Sequence, residues 1–437
     1  RTSRLNTVAS LEYLRDFGFP SLLDWLQDKE AFLLEYGARG EEAFRQCKEE
    51  LFSIQNSRKA RLGGLGGLQN PEFMARKAAA ERELREKIAA DPAKQAAYGA
   101  AWDRIAAAQQ VNVERGRPYM FLERARGLDS VLFTIARDLV RLAAEKAKPN
   151  AERLKEYRDS ALESLELELF SEAPIHPEFE REKFAFGLAY WKKILPDDPV
   201  LARVLAGRTP EQAAADLVGG SRLADVSVRR ALADGGAAAI EASDDPMIKL
   251  AIAVDPEARA LRKEREDAVE GVEAANYALI AKALFEEKGD AVYPDATFTL
   301  RLAFGLVKGY TVDGKLVPPY THIGGAFERE KAHEAKPPYA LPKSWHDAKD
   351  SGALRLDMPM NFVSTADIIG GNSGSPVVNR ENEVVGLIFD GNIQSLVLDF
   401  GYDDVVARAV SVDSRAILEA LQSVYRAEEL VEELTDR

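Results

Sequence analysis

Near residue 290 the hydrophobic period of this chain changes, and one kind of secondary structure cannot serve both sides of that point. From about Leu11 to Gly289 apolar residues recur at helical spacing, as in Leu22, Trp25, Leu26 and Leu33, the mark of helices with one buried stripe. The segment 75–108 is rich in Ala, Glu, Lys and Arg, all strong helix formers. Residues 119–170 read as two antiparallel helices broken near Pro149-Asn150. Asp255-Pro256 reads as an N-cap with its first-turn proline, and Gly289 as the stop of the long helix that follows. No repeat of fixed period stands out, which disfavours a solenoid.

After Tyr293-Pro294-Asp295 the period becomes two. Phe298, Leu300, Leu302 and Phe304 alternate with Thr297, Thr299, Arg301 and Ala303, which predicts a strand with one buried face. Val312-Asp313-Gly314-Lys315 predicts a tight hairpin, and a loop rich in Pro, Lys and Glu follows over roughly 318–350. Strand-like runs resume at 367–369, 376–378, 384–389, 395–398 and 407–412, separated by Gly, Asn and Asp turns, the pattern of a small β-barrel. Residues 413–424 and 425–435 read as closing helices. The expected architecture is α+β and multidomain: an α-helical cap domain over 1–290 and a β-barrel lobe over 291–437.

Charge and composition exclude several functions. A formal charge of −14 argues against sequence-independent binding to nucleic acid or anionic membranes, and no apolar run approaches the length of a membrane span. The single cysteine, Cys47, rules out an internal disulfide and a cysteine-based metal cluster. Its neighbours Arg45, Gln46 and Lys48 place it at an ordinary helical position rather than at an activated thiol.

The chemistry of the chain is concentrated in Gly370-Gly371-Asn372-Ser373-Gly374-Ser375-Pro376. Acyl transfer needs a hydroxyl on a tight turn beside backbone N–H groups aimed at the developing oxyanion. The heptapeptide matches the nucleophile loop of chymotrypsin-fold serine proteases, with Ser373 as nucleophile and the N–H groups of Gly371 and Ser373 as the oxyanion hole. Gly371 supplies backbone angles closed to other residues and Gly374 leaves room beside the nucleophile. The competing interpretation is a glycine-rich β-turn without chemistry; the full heptapeptide set between two strands favours the former. Asn372 stands where trypsin-like zymogens carry an acid, so activation by burying a new N-terminal amine is not expected.

A serine hydroxyl needs a base, and the four histidines are poorly placed for that role. His176 lies in a turn between helices, His322 follows a Pro-Pro-Tyr-Thr loop, and His333 and His346 sit in the charged linker. None has a metal-ligand spacing, so neither a metal nor another cofactor is implied. The simplest reading is a piece of a serine peptidase without its first catalytic lobe, which leaves the isolated polypeptide without useful hydrolytic activity. The alternative is a non-catalytic helical scaffold fused to a degenerate protease half-barrel.

Taken together, the segments 293–302, 307–310, 361–376, 386–392 and 411–415 resemble the bacterial dipeptidyl-peptidase 7/11 family of chymotrypsin-fold serine exopeptidases. The resemblance implies a double β-barrel with a large helical domain between the lobes, acting on peptides with a free N-terminus and releasing dipeptides. It also implies export to the periplasm or cell surface, and it is compatible with a homodimer. In the family an asparagine of the helical domain and an aspartate after the nucleophile strand hold the substrate α-ammonium. Asp390 matches the aspartate and Asn56 is the candidate asparagine; a turn-forming role for Asp390 and a plain helix-surface role for Asn56 stay open. At the next position the acid-preferring branch has arginine where this chain has Gly391. The resemblance therefore implies an uncharged, roomier pocket and an apolar residue before the cut.

Overall fold

The computed structural model describes residues 5–291 and 300–435. Helices dominate and the strands lie between Tyr310 and Asp413, so the class is α+β. Two compact units interleave along the chain. One holds the described residues of Arg1–Leu23, Ser57–Ala90 and Ala281–Arg437, the other those of Asp24–Asn56 and Asp91–Ile280.

The second unit is a helical bundle. Helices Val131–Lys146, Pro177–Ile194 and Pro246–Arg265 turn Phe133, Leu139, Phe184, Trp191, Ile248 and Val254 into one core. Their starts are capped by local chemistry: Ser130 Oγ accepts from Leu132 N–H, and Asp245 Oδ1 accepts from Met247 N–H. The expected cap at Asp255-Pro256 is wrong, because both residues lie inside the helix Pro246–Arg265. The same dipeptide type occurs ten residues earlier as Asp245-Pro246, and there it opens the helix. Asp255 is occupied elsewhere, accepting from Arg141 Nε and Arg259 Nε, each at 2.6 Å. The pair of helices expected over 119–170 has an additional break: Ala101–Leu122 ends, a short turn spans Arg126–Leu128, and Val131–Lys146 begins. Gly127 in that turn faces the Trp191 indole so closely that any Cβ would overlap the ring.

Buried charge in this unit is paired. Arg141 meets Glu123 as well as Asp255, at 2.6 Å each. Lys29 lies between Asp129 and Glu50, and Lys183 bridges Glu180 at 2.8 Å and Glu50 at 3.3 Å. Cys47 is buried with Sγ 3.5 Å from Leu33 O, and burial pushes its thiol up, as befits an inert cysteine.

The first unit carries the sheet. Strands β1 (Tyr310–Val312) and β2 (Lys315–Val317) form the expected hairpin, with Val312 opposite Lys315. Asp313 and Gly314 have φ of 51° and 73°, the pair of positive angles a two-residue turn of this hand requires. Strands β3 (Tyr320–His322), β4 (Pro359–Ser364), β5 (Pro376–Val378), β6 (Val384–Gly391) and β7 (Ala409–Asp413) make one antiparallel sheet in the order β3-β4-β7-β6-β5. Among the described residues this sheet has two free edges and does not close into a barrel. The closing helices appear as Ser414–Ser423 and Glu428–Thr435.

Several sequence-based expectations fail in this unit. The expected strand through Thr297–Phe304 lies outside the described residues up to Thr299; beyond that, Leu300, Leu302 and Phe304 are irregular and 98, 81 and 84% exposed. The alternation is present, but the described residues offer it no covering layer. Residues 318–350 are not a loop: they hold β3 and the helices Ile323–Ala332 and Lys343–Asp350, which bury Ile323, Phe327 and Ala348 against Leu354, Ala416 and Val424. The run 367–369 is not a strand, and 395–398 lies in a 3-10 helix, Ile393–Asp399. The last failure has a packing cause. Helix Glu41–Leu68 turns Gly63 and Gly67 toward this segment, so that a Cβ on Gly63 would stand 3.0 Å from Leu396 Cβ and one on Gly67 2.7 Å from Val397 Cβ. The turn thereby seats the Leu396 and Val397 side chains on that glycine face.

Candidate active site

The loop that carries Ser373 joins the irregular segment after β4 to β5 and is built by its own backbone. Asn372 N–H donates to Ile369 O at 3.3 Å, and Ile369 N–H donates back to Asn372 Oδ1 at 3.1 Å, tying the turn at both ends. Ser375 N–H closes the next turn on Asn372 O at 3.1 Å. Gly371 and Gly374 have φ of 92° and 86°, a region that strains any other residue at either place. Nothing lies within 4 Å of the Cβ position of Gly374, so the space beside Ser373 is open there, and the positive φ adds a conformational need for glycine.

Strand β6 presents the other wall. Ile388 faces Ser411 and Asp390 faces Val410, so Phe389 is an extra residue between them, a β-bulge on β6. Ile388 exchanges two backbone bonds with the loop, accepting from Gly374 N–H at 2.7 Å and donating to Ser375 O at 3.1 Å. The bulge then brings Phe389 O to the exposed Ser373 hydroxyl, which donates to it at 3.1 Å. Ser373 and Asp390 are thus neighbours across the loop. Asp390 is exposed; its Oδ1 accepts from Gly391 N–H at 2.8 Å, the local turn role, and Oδ2 has no partner among the described residues.

Two further features bear on acyl transfer. Neither Gly371 N–H nor Ser373 N–H donates a hydrogen bond to any described residue, whereas Gly374 N–H is used. No imidazole among the described residues bonds Ser373. His346 Nε2 contacts Glu330 at 3.1 Å, His333 stacks on Tyr339, and His176 occupies the start of helix Pro177–Ile194. His322 ends β3, three strand spacings from β6, or about 14 Å.

Asn56 is exposed on helix Glu41–Leu68, on the face that returns seven and eleven residues later as Gly63 and Gly67. Gly391 corrects the expectation of a roomier pocket. The direction its side chain would take is filled by Ser395, whose Oγ a Cβ would overlap and whose Cβ it would meet at 3.0 Å.

Sequence reasoning missed the residue that holds this wall. Arg408 is buried and donates to the carbonyls of Lys308, Gly309, Asp404, Val405 and Ala407. Its backbone N–H donates to Asn392 Oδ1, while Asn392 Nδ2 donates to Val406 O at 2.7 Å. The signal was a lone arginine inside the apolar run Val405–Val412, a charge that must find partners once buried.

These features sit in a chain that belongs to peptidase family S46: the Peptidase S46 family model matches residues 1–436. An Asp/Glu-specific dipeptidyl-peptidase of Shewanella putrefaciens is 27% identical over 99% of this chain and 63% of its own length. Dipeptidyl-peptidase 7 of Phocaeicola vulgatus is 40% identical over 32% of this chain and 20% of its own. The fold is that of Porphyromonas endodontalis DPP11, solved in complex with the dipeptide Arg-Glu, with a TM-score of 0.77 at 20% identity over 99% of this chain and 63% of that one. The chain thus spans less than two thirds of the length of the first of these relatives.

Proposed function

We propose that this chain is the helical and nucleophile-bearing part of a serine-type dipeptidyl peptidase whose sheet is the second lobe of a chymotrypsin-like double barrel. One observation carries the reading: the Ser373 hydroxyl rests on Phe389 O, one residue from the free oxygen of Asp390, beside two backbone N–H groups without acceptors. Ser373 Oγ attacks the carbonyl of the second residue, and its proton passes to a base. The N–H groups of Gly371 and Ser373 receive the oxyanion. The C–N bond then breaks, the leaving amine takes the proton, and water releases the dipeptide from Ser373. Asp390, with Asn56, holds the α-ammonium by charge-assisted hydrogen bonds. Two residues span about 7 Å, so an anchor beside the nucleophile selects dipeptides.

The base and its orienting acid come, on this reading, from polypeptide beyond the described residues, in a lobe that covers Leu300, Leu302 and Phe304. The residue before the cut is neutral and preferably apolar, because no cation stands beside Asp390 at position 391. The protein works in the periplasm or at the cell surface, as the resemblance implies. Incubating the full-length protein with peptides bearing free or acetylated N-termini tests the core of this reading. Dipeptide release from the free peptides alone, together with fluorophosphonate labelling of Ser373, is expected. Labelling absent in the folded full-length protein overturns it in favour of a scaffold.

A further inference from the structure

The structure assigns Ser395 as a specificity-determining residue that keeps position 391 free of a side chain. This deepens the reading above and rests on it for the identity of the subsite. Asn392 is fixed on both sides: its backbone N–H donates to Arg408 O at 3.0 Å, and its side-chain amide is shared between Arg408 N–H and Val406 O. From Asn392 the chain enters the 3-10 helix Ile393–Asp399, whose first turn returns Ser395 onto Asn392: Ser395 N–H and Oγ both donate to Asn392 O, at 2.8 and 2.7 Å. That turn aims the Ser395 hydroxyl into the volume a side chain at 391 would occupy, with Arg408 O closing the far side at 3.4 Å.

The backbone that follows Ser395 is tightly seated. The two residues after it, Leu396 and Val397, lie against Gly63 and Gly67 of helix Glu41–Leu68 at distances that leave no room even for a methyl group on the glycines. Phe400, one turn further, packs into the cluster of Leu11, Phe19, Leu68 and Phe73. The wall beside Asp390 is therefore a neutral hydroxyl already committed to a backbone carbonyl, backed by a helix. A larger residue at 391 has to break the Ser395–Asn392 bond and push its Cβ away. A cationic side chain that would recruit an acidic substrate residue is shut out by Ser395 as much as by the glycine itself.

A double-substitution cycle separates this claim from the assignment of activity. Gly391→Ala should lower the Tm of the chain by a few degrees, and Ser395→Gly in the same molecule should recover at least half of that loss. In the full-length enzyme, Gly391→Arg alone should reduce kcat/KM at least tenfold on substrates with either an apolar or an acidic residue before the cut. Gly391→Arg with Ser395→Gly should restore turnover and move the acidic-to-apolar preference at least tenfold toward acid. Unchanged Tm in Gly391→Ala, or full conversion to acid preference by Gly391→Arg alone, overturns the inference. If the Tm cycle holds while the full-length protein releases dipeptides from nothing, the steric gate stands and the functional reading is what fails.

Discussion

The helical bundle and the Ser373 loop of the sheet unit treat polar groups in opposite ways. In the helical unit Arg141, Glu123, Asp255, Lys29, Lys183 and Glu180 are all buried or nearly so, and each is matched by an opposite charge at hydrogen-bond distance. In the sheet unit the Ser373 loop exposes its hydroxyl, leaves two N–H groups without acceptors, and stands beside a half-free carboxylate, while Leu300, Leu302 and Phe304 face outward. A buried ion pair broken on one side costs several kcal/mol, so a unit full of them is committed to one internal arrangement. Unpaired donors on an exposed turn cost little in water and gain their value only when an anion arrives. The helical bundle satisfies its buried charge internally; the Ser373 loop keeps donors open to solvent.

If that contrast is right, the two units should respond to substitution in different observables. Ser373→Ala in the full-length protein should lower dipeptide release by about 10⁴-fold or more, since members of a catalytic set act as a unit. Its Tm should stay within a degree of the parent, because the hydroxyl has only one exposed hydrogen bond to lose. A large Tm change would mean that Ser373 is structural. Arg141→Ala should act the other way, destabilising the helical unit by about 3 kcal/mol, because Glu123 loses its close buried partner and keeps only the longer contact to Arg262, while Asp255 keeps only Arg259. Urea unfolding followed by far-UV circular dichroism measures it, and a loss below about 1 kcal/mol would refute the description of this unit.

Acid should test the pairing inside the helical unit. Burial alone would raise the Glu145 carboxyl, but hydrogen bonds from Lys148, the Leu154 N–H and Arg259 outweigh it and hold the group down to about 2. A folded-state value below the unfolded one, near 4.5, stabilises the fold above that unfolded value. The contribution, about 3 kcal/mol in full, is lost as pH falls from about 4.5 toward 2. Glu145→Gln should flatten the pH dependence of stability across that window; an unchanged slope would sink the assignment.

What the sequence disclosed divides along a related line, between local and tertiary determinants. The Asp313-Gly314 hairpin, the stop at Gly289 (φ 52°) and the turn glycines of the nucleophile loop are written in backbone angles that few residues tolerate, so they are readable in place. The turn over residues 370–376 was legible for the same reason, since the positive φ of Gly371 and Gly374 calls for glycine. The bulge that puts Phe389 O under the Ser373 hydroxyl is a matter of register against β7, which period-two patterning does not contain. Residues 395–398 carry a strand's pattern, and the glycine face of a helix more than 300 positions earlier overrides it. Asp255-Pro256 has the composition of a cap, yet its carboxylate is taken by Arg141 and Arg259 from across the bundle.

The smallest expected effect probes how the Ser373 loop holds its shape while the Gly371 and Ser373 N–H groups have no acceptor among the described residues. The Asn372 side chain braces the turn, accepting Ile369 N–H while its own backbone N–H returns to Ile369 O. Asn372→Ala removes an acceptor and leaves the backbone bonds, a loss of about 1 kcal/mol in a hydrogen bond of this kind. Because the turn aims the Gly371 and Ser373 N–H groups, the loss should fall on kcat, about five- to tenfold, with KM nearly unchanged. Asn372→Asp keeps an acceptor oxygen at the same position and should recover most of the rate. Equal losses in Ala and Asp, or a change confined to KM, would show that the side chain acts on the substrate rather than on the turn, and the exposed unit would then need another explanation for its preorganisation.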